Sequence, residues 1–189
     1  MDFDKVVRKR ASIRSYSIKK VKVERVIEAL QTANLAPSPG NLPIIYFLVV
    51  QDYETIKKIA DACRQYFLEK APYLVVVCSD PKRAGLEYEE RADRYIKQHA
   101  GAVIENLLLK LTDMGLASCW IGAFSDMTIK HILDIPDNIN IEAILPVAYQ
   151  YENDHTKQKT KHELDARIYF DKWKNKYQKP LRKVRMADV

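Results

Sequence analysis

The chain has 189 residues, with 31 Lys and Arg against 25 Asp and Glu, a formal net charge of +6. Residues 1–25 carry nine basic and three acidic side chains and residues 155–189 carry eleven and four, whereas the stretch between them is acidic, with eleven and eighteen. Two basic ends around an acidic middle exclude a uniformly basic nucleic-acid coat, and an apolar share of 47% excludes a disordered chain.

The length predicts one principal domain. No apolar run reaches the roughly 18 residues a membrane helix needs, and Met1–Arg10 holds no signal-peptide core, so a soluble, cytoplasmic protein is expected, with no membrane partner. Cys63, Cys78 and Cys119 form no C-x-x-C pair, which argues against a disulfide framework and against a thiolate zinc site. The five glycines (Gly40, Gly85, Gly101, Gly115, Gly122) write neither G-x-G-x-x-G nor a P-loop. Any phosphate must therefore be held by side chains.

In chain order, Phe3, Val6 and Val7 predict a short helix running into Arg8-Lys9-Arg10. Residues 22–35 read as a helix with Val23, Val26, Ile27, Leu30 and Ala33 on one face, ending before Pro37. Ala36-Pro37-Ser38-Pro39-Gly40-Asn41 is an ordered loop of turn formers. The apolar run 44–50 predicts a strand central in a sheet, 53–68 a helix and 73–78 a second buried strand. Residues 87–114 predict one helix closed by Gly115 as a left-handed C′ residue. A short third strand at 119–121, a helix at 127–133 and a fourth strand at 141–149 follow. The polar, basic tail has one apolar patch at 168–170. The pattern is α+β, with an apolar sheet covered by helices.

Three segments suit chemistry. In Arg10-Ala11-Ser12-Ile13-Arg14 alternation puts Arg10, Ser12 and Arg14 on one side of an extended segment, a clamp for phosphate or polyol, or else a solvated basic surface. The prolines of the 36–41 loop either fix Ser38 and Asn41 against a heteroaromatic ring or simply join helix to strand. The segment 115–124 ends in Gly122-Ala123, where backbone N–H groups can approach a ligand closely; in the plainer reading it is a core strand with Cys119 and Trp120 buried. Lys157, Lys159 and Lys161 share a face if extended, or belong to a basic tail. All four histidines read as structural, and no Ser/His/Asp or Cys/His grouping supports hydrolysis.

Taken together and in this order, the segments 10–14, 36–41, Ala71-Pro72, 105–109, 115–122 and 145–149 resemble the FMN-dependent nitroreductase family over about residues 3–170. The resemblance implies a three-layer α+β sandwich with a mainly antiparallel central sheet and a single FMN-binding domain over 1–170; the basic tail over 171–189 lies beyond it and is a candidate for packing on the partner subunit. It implies a homodimer with FMN at the interface and NADH or NADPH as electron donor. By the same resemblance Arg10 and Ser12 hold the phosphate and ribityl end of FMN and Arg14 reaches its ring. Ser38 and Asn41 face FMN from the other subunit, the backbone of Ile121-Gly122-Ala123 lies at flavin N5, and Lys159 with Lys161 closes on the phosphate.

There are departures from the family pattern. The Gln and Trp that often follow the serine loop are absent from Asn41-Leu42-Pro43-Ile44-Ile45, which reshapes that wall of the pocket. Arg64-Gln65 stands where Asn-Gln is common, and an arginine near the pyrimidine end of the flavin would favour a more reducible cofactor. The absence of a triad suits a flavin enzyme, in which the cofactor carries the electrons and the protein supplies position and electrostatics. The expected activity is electron transfer from NAD(P)H to nitroaromatic, quinone or similar small-molecule acceptors. Reductive dehalogenation or flavin fragmentation is the alternative within the superfamily, and a basic nucleic-acid-binding protein the non-enzymatic one.

Overall fold

The computed structural model describes residues 1–152 and 163–176. The chain forms two compact units, Met1–Thr156 and Lys157–Val189. In the first, three helices begin on aspartate caps at the positions where side-chain oxygens can take orphan N–H groups. Asp2 accepts from Asp4 N–H (3.1 Å) at helix α1 (Phe3–Lys9), Asp52 from Thr55 N–H (2.8 Å) at α3 (Tyr53–Cys63), and Asp80 from Lys82 N–H (2.9 Å) at α4 (Pro81–Tyr88). Helix α2 (Val23–Ala33) buries Val26, Ala29, Leu30 and Ala33, while Val23 and Ile27, expected on the same face, stay exposed.

The central sheet has three antiparallel strands in the order β2 (Ile45–Val50), β3 (Tyr73–Ser79), β4 (Asn140–Val147). A separate two-strand ribbon pairs β1 (Tyr16–Ser17) with β5 (Tyr149–Gln150). Side chains of β3 alternate between two cores, as strand geometry requires. Leu74, Val76 and Cys78 pack with Ile56, Ile59 and Ala60 of α3 and with Ile129 of α6 (Asp126–Leu133). Val75 and Val77 pack with α2 and with Val103, Ile104, Leu107 and Leu111 of α5 (Ala92–Asp113). The result is three layers, helices–sheet–helices, as expected from the sequence.

Four predicted elements differ in the structure. Residues 44–50 read as a central strand, but among the described residues β2 pairs only with β3 and is an edge strand; Tyr46 is exposed. The helix predicted over 53–68 stops at Cys63, where Arg64 takes φ +52° and Gln65 N–H returns to Ala60 O; a short turn at Tyr66–Lys70 then buries Leu68. The helix predicted over 87–114 starts only at Ala92, and a separate helix that the sequence did not predict occupies 81–88, because the chain must turn for Ala84 and Ile96 to share a small core with Ile44. The turn is Glu89–Arg91, and Glu89 at φ 45°, ψ −121° sits in a conformation that disfavours any Cβ. Residues 119–121 make no strand: the segment is held only by the isolated bridges Ala117–Ala148 and Ile121–Ile144.

The end of α5 follows the sequence. Met114 caps the helix, Gly115 takes φ +71° with its N–H to Thr112 O, and Leu116 N–H bonds Leu111 O at 2.8 Å. This is the Schellman arrangement. Arg25 of α2 clamps the same corner, donating to Tyr149 Oη (2.6 Å) and to Met114 O. In the second unit, residues 163–176 hold a turn at Asp165–Arg167, and Lys176 lies over the Tyr169 ring.

A Cβ at Gly115 would meet nothing within 4 Å, so its cost is conformational alone. Gly115→Ala is expected to lower unfolding stability by about 1 kcal/mol with little change in m-value, measured by urea denaturation.

Candidate functional site

The segment after α1 is pinned from both sides. Arg10 caps α1 through its N–H to Val6 O (2.8 Å), Ile13 N–H donates to Ser118 O (3.0 Å), and Ile13 is buried in one core with Cys119 and Ile121. Tyr16 Oη donates to Ile13 O (2.7 Å) and lies 3.8 Å from Cys119 Sγ. With Ile13 turned inward, Ser12 and Arg14 are exposed, the alternation expected of an extended segment. Arg10 is half-buried: its Nη2 lies 3.4 Å from Glu105 Oε1 on α5, and its Nε is buried without a hydrogen-bond partner.

The facing segment is anchored to β4 by reciprocal bonds, Ile121 N–H to Ile144 O (3.0 Å) and Ile144 N–H to Ile121 O (3.1 Å). Gly122 and Ala123 emerge beyond this anchor and are exposed. Between the two bridges Cys119 is 1% exposed and belongs to the core, whereas Trp120, expected to be buried with it, is 43% exposed. Ser118 Oγ is a second buried polar atom without a partner. The two segments are joined by the Ile13–Ser118 bond and by the shared core of Ile13, Cys119 and Ile121.

Ser38 and Asn41 sit in the loop after α2, over the face of α5 that carries Gln98, His99 and Ala102, one turn before the Glu105 that meets Arg10. The loop closes as a single turn, Pro39–Asn41, with Gly40 at φ +54° and Asn41 at φ +57°. A Cβ on Gly40 would overlap Tyr88 Oη, so the glycine admits the tyrosine as well as the turn. Ser38 lines a cavity of about 400 Å³ with Pro37, Pro39, Tyr88, Tyr95, Gln98, His99 and Ala102. Asn41 lines a smaller one of about 140 Å³ that also touches Ser38 and His99. Arg10, Ser12 and Arg14 line neither. Lys157, Lys159 and Lys161 lie outside the described residues.

His99 was not expected at a site. It is 7% exposed, its Nδ1 has no hydrogen-bond partner, and burial pushes its pKa down, so the neutral imidazole is favoured. Its signal in the sequence is spacing: His99 falls three residues after Ile96 and four before Val103, on the buried stripe of α5. Tyr88 and Tyr95 meet edge to face with ring centroids 4.9 Å apart. Among the described residues no group of three or more His, Cys, Asp or Glu is placed to hold a metal, and no helix is long and apolar enough to cross a membrane.

A family model described as "Nitroreductase family" matches residues 7–67 and 60–149. The chain belongs to the nitroreductase family. An Archaeoglobus fulgidus protein named "Putative NADH dehydrogenase/NAD(P)H nitroreductase" is 33% identical over 89% of this chain and 97% of its own length. An iodotyrosine deiodinase of Thermotoga neapolitana is 25% identical over 76% of this chain and 86% of its own. Among solved structures, an FMN-dependent nitroreductase of Clostridium difficile R20291 superposes with a TM-score of 0.74 at 25% identity, covering 89% of this chain and 98% of that one. As a member of the nitroreductase family the protein is an oxidoreductase.

The thiols of this nitroreductase-family protein are core groups. Burial pushes Cys63 and Cys78 up to about 11, and burial also raises Cys119, opposed by its Tyr16 contact and by the Arg14 charge. Raised thiols are neutral in the folded state, so the stability they contribute is complete below the unfolded thiol pKa, about 8.5, and is lost as pH climbs toward the folded values. Ellman's reagent at about pH 8 is expected to find no reactive thiol in the native protein and all three after unfolding, and thermal stability should fall between about pH 9 and 11.

Proposed function

We propose that the chain is an FMN-dependent, NAD(P)H-driven oxidoreductase that works as a homodimer and passes electrons to nitroaromatic, quinone or similar acceptors. The observation that carries this reading is the buried, unpartnered Nε of Arg10 beside the exposed Ser12 and Arg14. A guanidinium N–H withheld from water and given no protein acceptor is costly unless an anion completes it. The donor set of this segment suits a phosphate and a polyol chain: two planar forks and one hydroxyl, with no carboxylate except Glu105, which Arg10 contacts at only 3.4 Å.

In this reading Arg10 and Ser12 bind the phosphate and ribityl end, and Arg14 approaches the ring. The emergent backbone of Gly122 and Ala123 offers N–H groups to the ring's reactive edge, held in place by the bridge of Ile121 to Ile144. Ser38 and Asn41 serve the second subunit's cofactor, and Lys159 and Lys161 complete the phosphate site. When bound, FMN supplies the electron transfer in two half-reactions at one cavity; the protein's residues bind, orient and exclude water. The nicotinamide and the acceptor use that cavity in turn.

Reductive dehalogenation is the second reading, favoured by the iodotyrosine deiodinase among the relatives. Halide release from 3-iodotyrosine by the dithionite-reduced protein separates it from nitroarene reduction.

The purified protein is expected to be yellow, or to become so with added FMN, and Arg10→Ala should weaken FMN binding roughly 10- to 100-fold, as expected for the loss of charge-assisted hydrogen bonds. Fluorescence quenching of FMN during titration measures both. A colourless protein that leaves FMN fluorescence unchanged sinks the proposal.

A further inference from the structure

The ribbon β1–β5 is not hydrogen-bonded into the central sheet, and between the two lies a cavity of about 880 Å³. One wall is the ribbon itself, held by Tyr151 N–H to Ser15 O at 3.1 Å. Gln51 and the first turn of α3 form the second wall, and residues 69–72, just ahead of β3, the third. The buried Tyr16 lines it too, with its hydroxyl already committed to Ile13 O. None of Arg10, Ser12, Arg14, Gly122 and Ala123 lines this cavity.

Its charge is one-sided. Lys19, Lys20 and Lys70 line it against a single carboxylate, Glu69. Among the described residues none of these four is in an ion pair, and Lys19 Nζ instead lies 4.5 Å from the centre of the Tyr149 ring. Lys70 comes from the segment ahead of β3 and the other two from the end of the ribbon, so the fold gathers them rather than a run in the sequence. Ammoniums gathered at a cavity raise its potential and favour an anion. The chain's own 155–189 segment, with eleven basic and four acidic side chains, brings the wrong charge to fill it. Beside the lysines stand flat and apolar surfaces: Tyr53, Tyr151 and Ile18 are all exposed at the rim.

We propose that this cavity binds a nucleoside diphosphate, with its phosphates at Lys19, Lys20 and Lys70, its ribose hydroxyls at Glu69 and its base against the rim tyrosines. Each part of such a ligand answers one feature of the lining. Lysines serve phosphate oxygens as point charges where no glycine loop is offered. A carboxylate among them opposes a bare phosphate, but it accepts hydrogen bonds from ribose hydroxyls. Base faces stack on tyrosine rings. The volume lies within the range of small-ligand cavities. Inorganic phosphate would leave the rings unused, and an uncharged ring would leave the lysines unmatched. The site uses no residue assigned to FMN and stands whether or not FMN is bound.

The test titrates ADP, without divalent cations, into the full chain by isothermal titration calorimetry, with FMN at saturation where the protein takes it up. Saturable binding is expected, unaffected by Arg10→Ala. Lys20→Gln combined with Lys70→Gln should weaken it at least tenfold, and Tyr53→Ala about tenfold. All three side chains are exposed, so the fold tolerates their loss. Adenosine and pyrophosphate should each bind at least tenfold more weakly than ADP, and added salt should weaken ADP but not adenosine. The methyl resonances of ¹³C-labelled Ile18, assigned by their loss in Ile18→Val, should shift as ADP saturates. NAD⁺ carries the same ADP group. Equal binding of NAD⁺ supports a site that reads this group wherever it is carried, and its failure to bind supports a site for the free nucleotide. Three results overturn the proposal: no heat and no Ile18 shift up to about millimolar ADP, pyrophosphate binding as tightly as ADP, or binding lost in Arg10→Ala but kept in the lysine variant.

Discussion

The architecture depends on one strand that is buried on both faces. Every side chain of β3 from Leu74 to Ser79 is inaccessible, and successive ones point into opposite cores. A strand with two apolar faces has to be covered twice, which requires a helical layer on each side. Helices α3 and α6 cover one face and α2 and α5 the other. Ser79 at the strand's end keeps its hydroxyl satisfied by donating to Glu142 Oε1 at 2.6 Å, and Glu142 is in turn paired with Lys97 at 3.1 Å. The polar groups nearest this part of the core are thus used up in holding the structure together.

The polar groups that are not used up lie at the periphery. Three buried side-chain atoms among the described residues lack a partner: Arg10 Nε, Ser118 Oγ and His99 Nδ1. Leaving such a group unmatched costs about 1–3 kcal/mol, so each marks a place where the fold gives up stability. Arg10 and Ser118 adjoin the same junction, where Ile13 meets Ser118, and His99 lies beneath the Ser38 loop. Both places coincide with motifs through which the sequence resembles the nitroreductase family. The coincidence ties the family likeness to physical chemistry: the motifs are where the protein leaves donors and acceptors open.

Much of the fold was legible because local rules governed it. The valine run of β3 and Gly115 after α5 each act within a few residues, so spacing and residue type were enough. The misreadings came where a distant contact overrode a local pattern. Ile44–Val50 is as apolar as a central strand, yet its position at the sheet edge depends on which strands pair, and composition does not encode pairing. The apolar rhythm runs on past Cys63 and through Tyr88, but Arg64 and Glu89 turn the chain so that Leu68, Ala84 and Ile96 find their own cores. At 119–121 a three-residue apolar string has the composition of a strand; two single bridges to β4 and its neighbour leave Trp120 in solvent instead.

The candidate site divides along the same line. The sequence by itself determined the alternation that puts Arg10, Ser12 and Arg14 on one side, the loop of prolines around Ser38, and the ordered set of motifs that marks the family. Only the tertiary structure decided that Ile13 meets Ser118, that Arg10 lies against Glu105 of α5, and that His99 is an open polar group rather than a satisfied core residue. The reason is physical. Residue type and spacing fix which way a side chain points along its own element, whereas burial and hydrogen-bond partnership depend on which other elements fold against it.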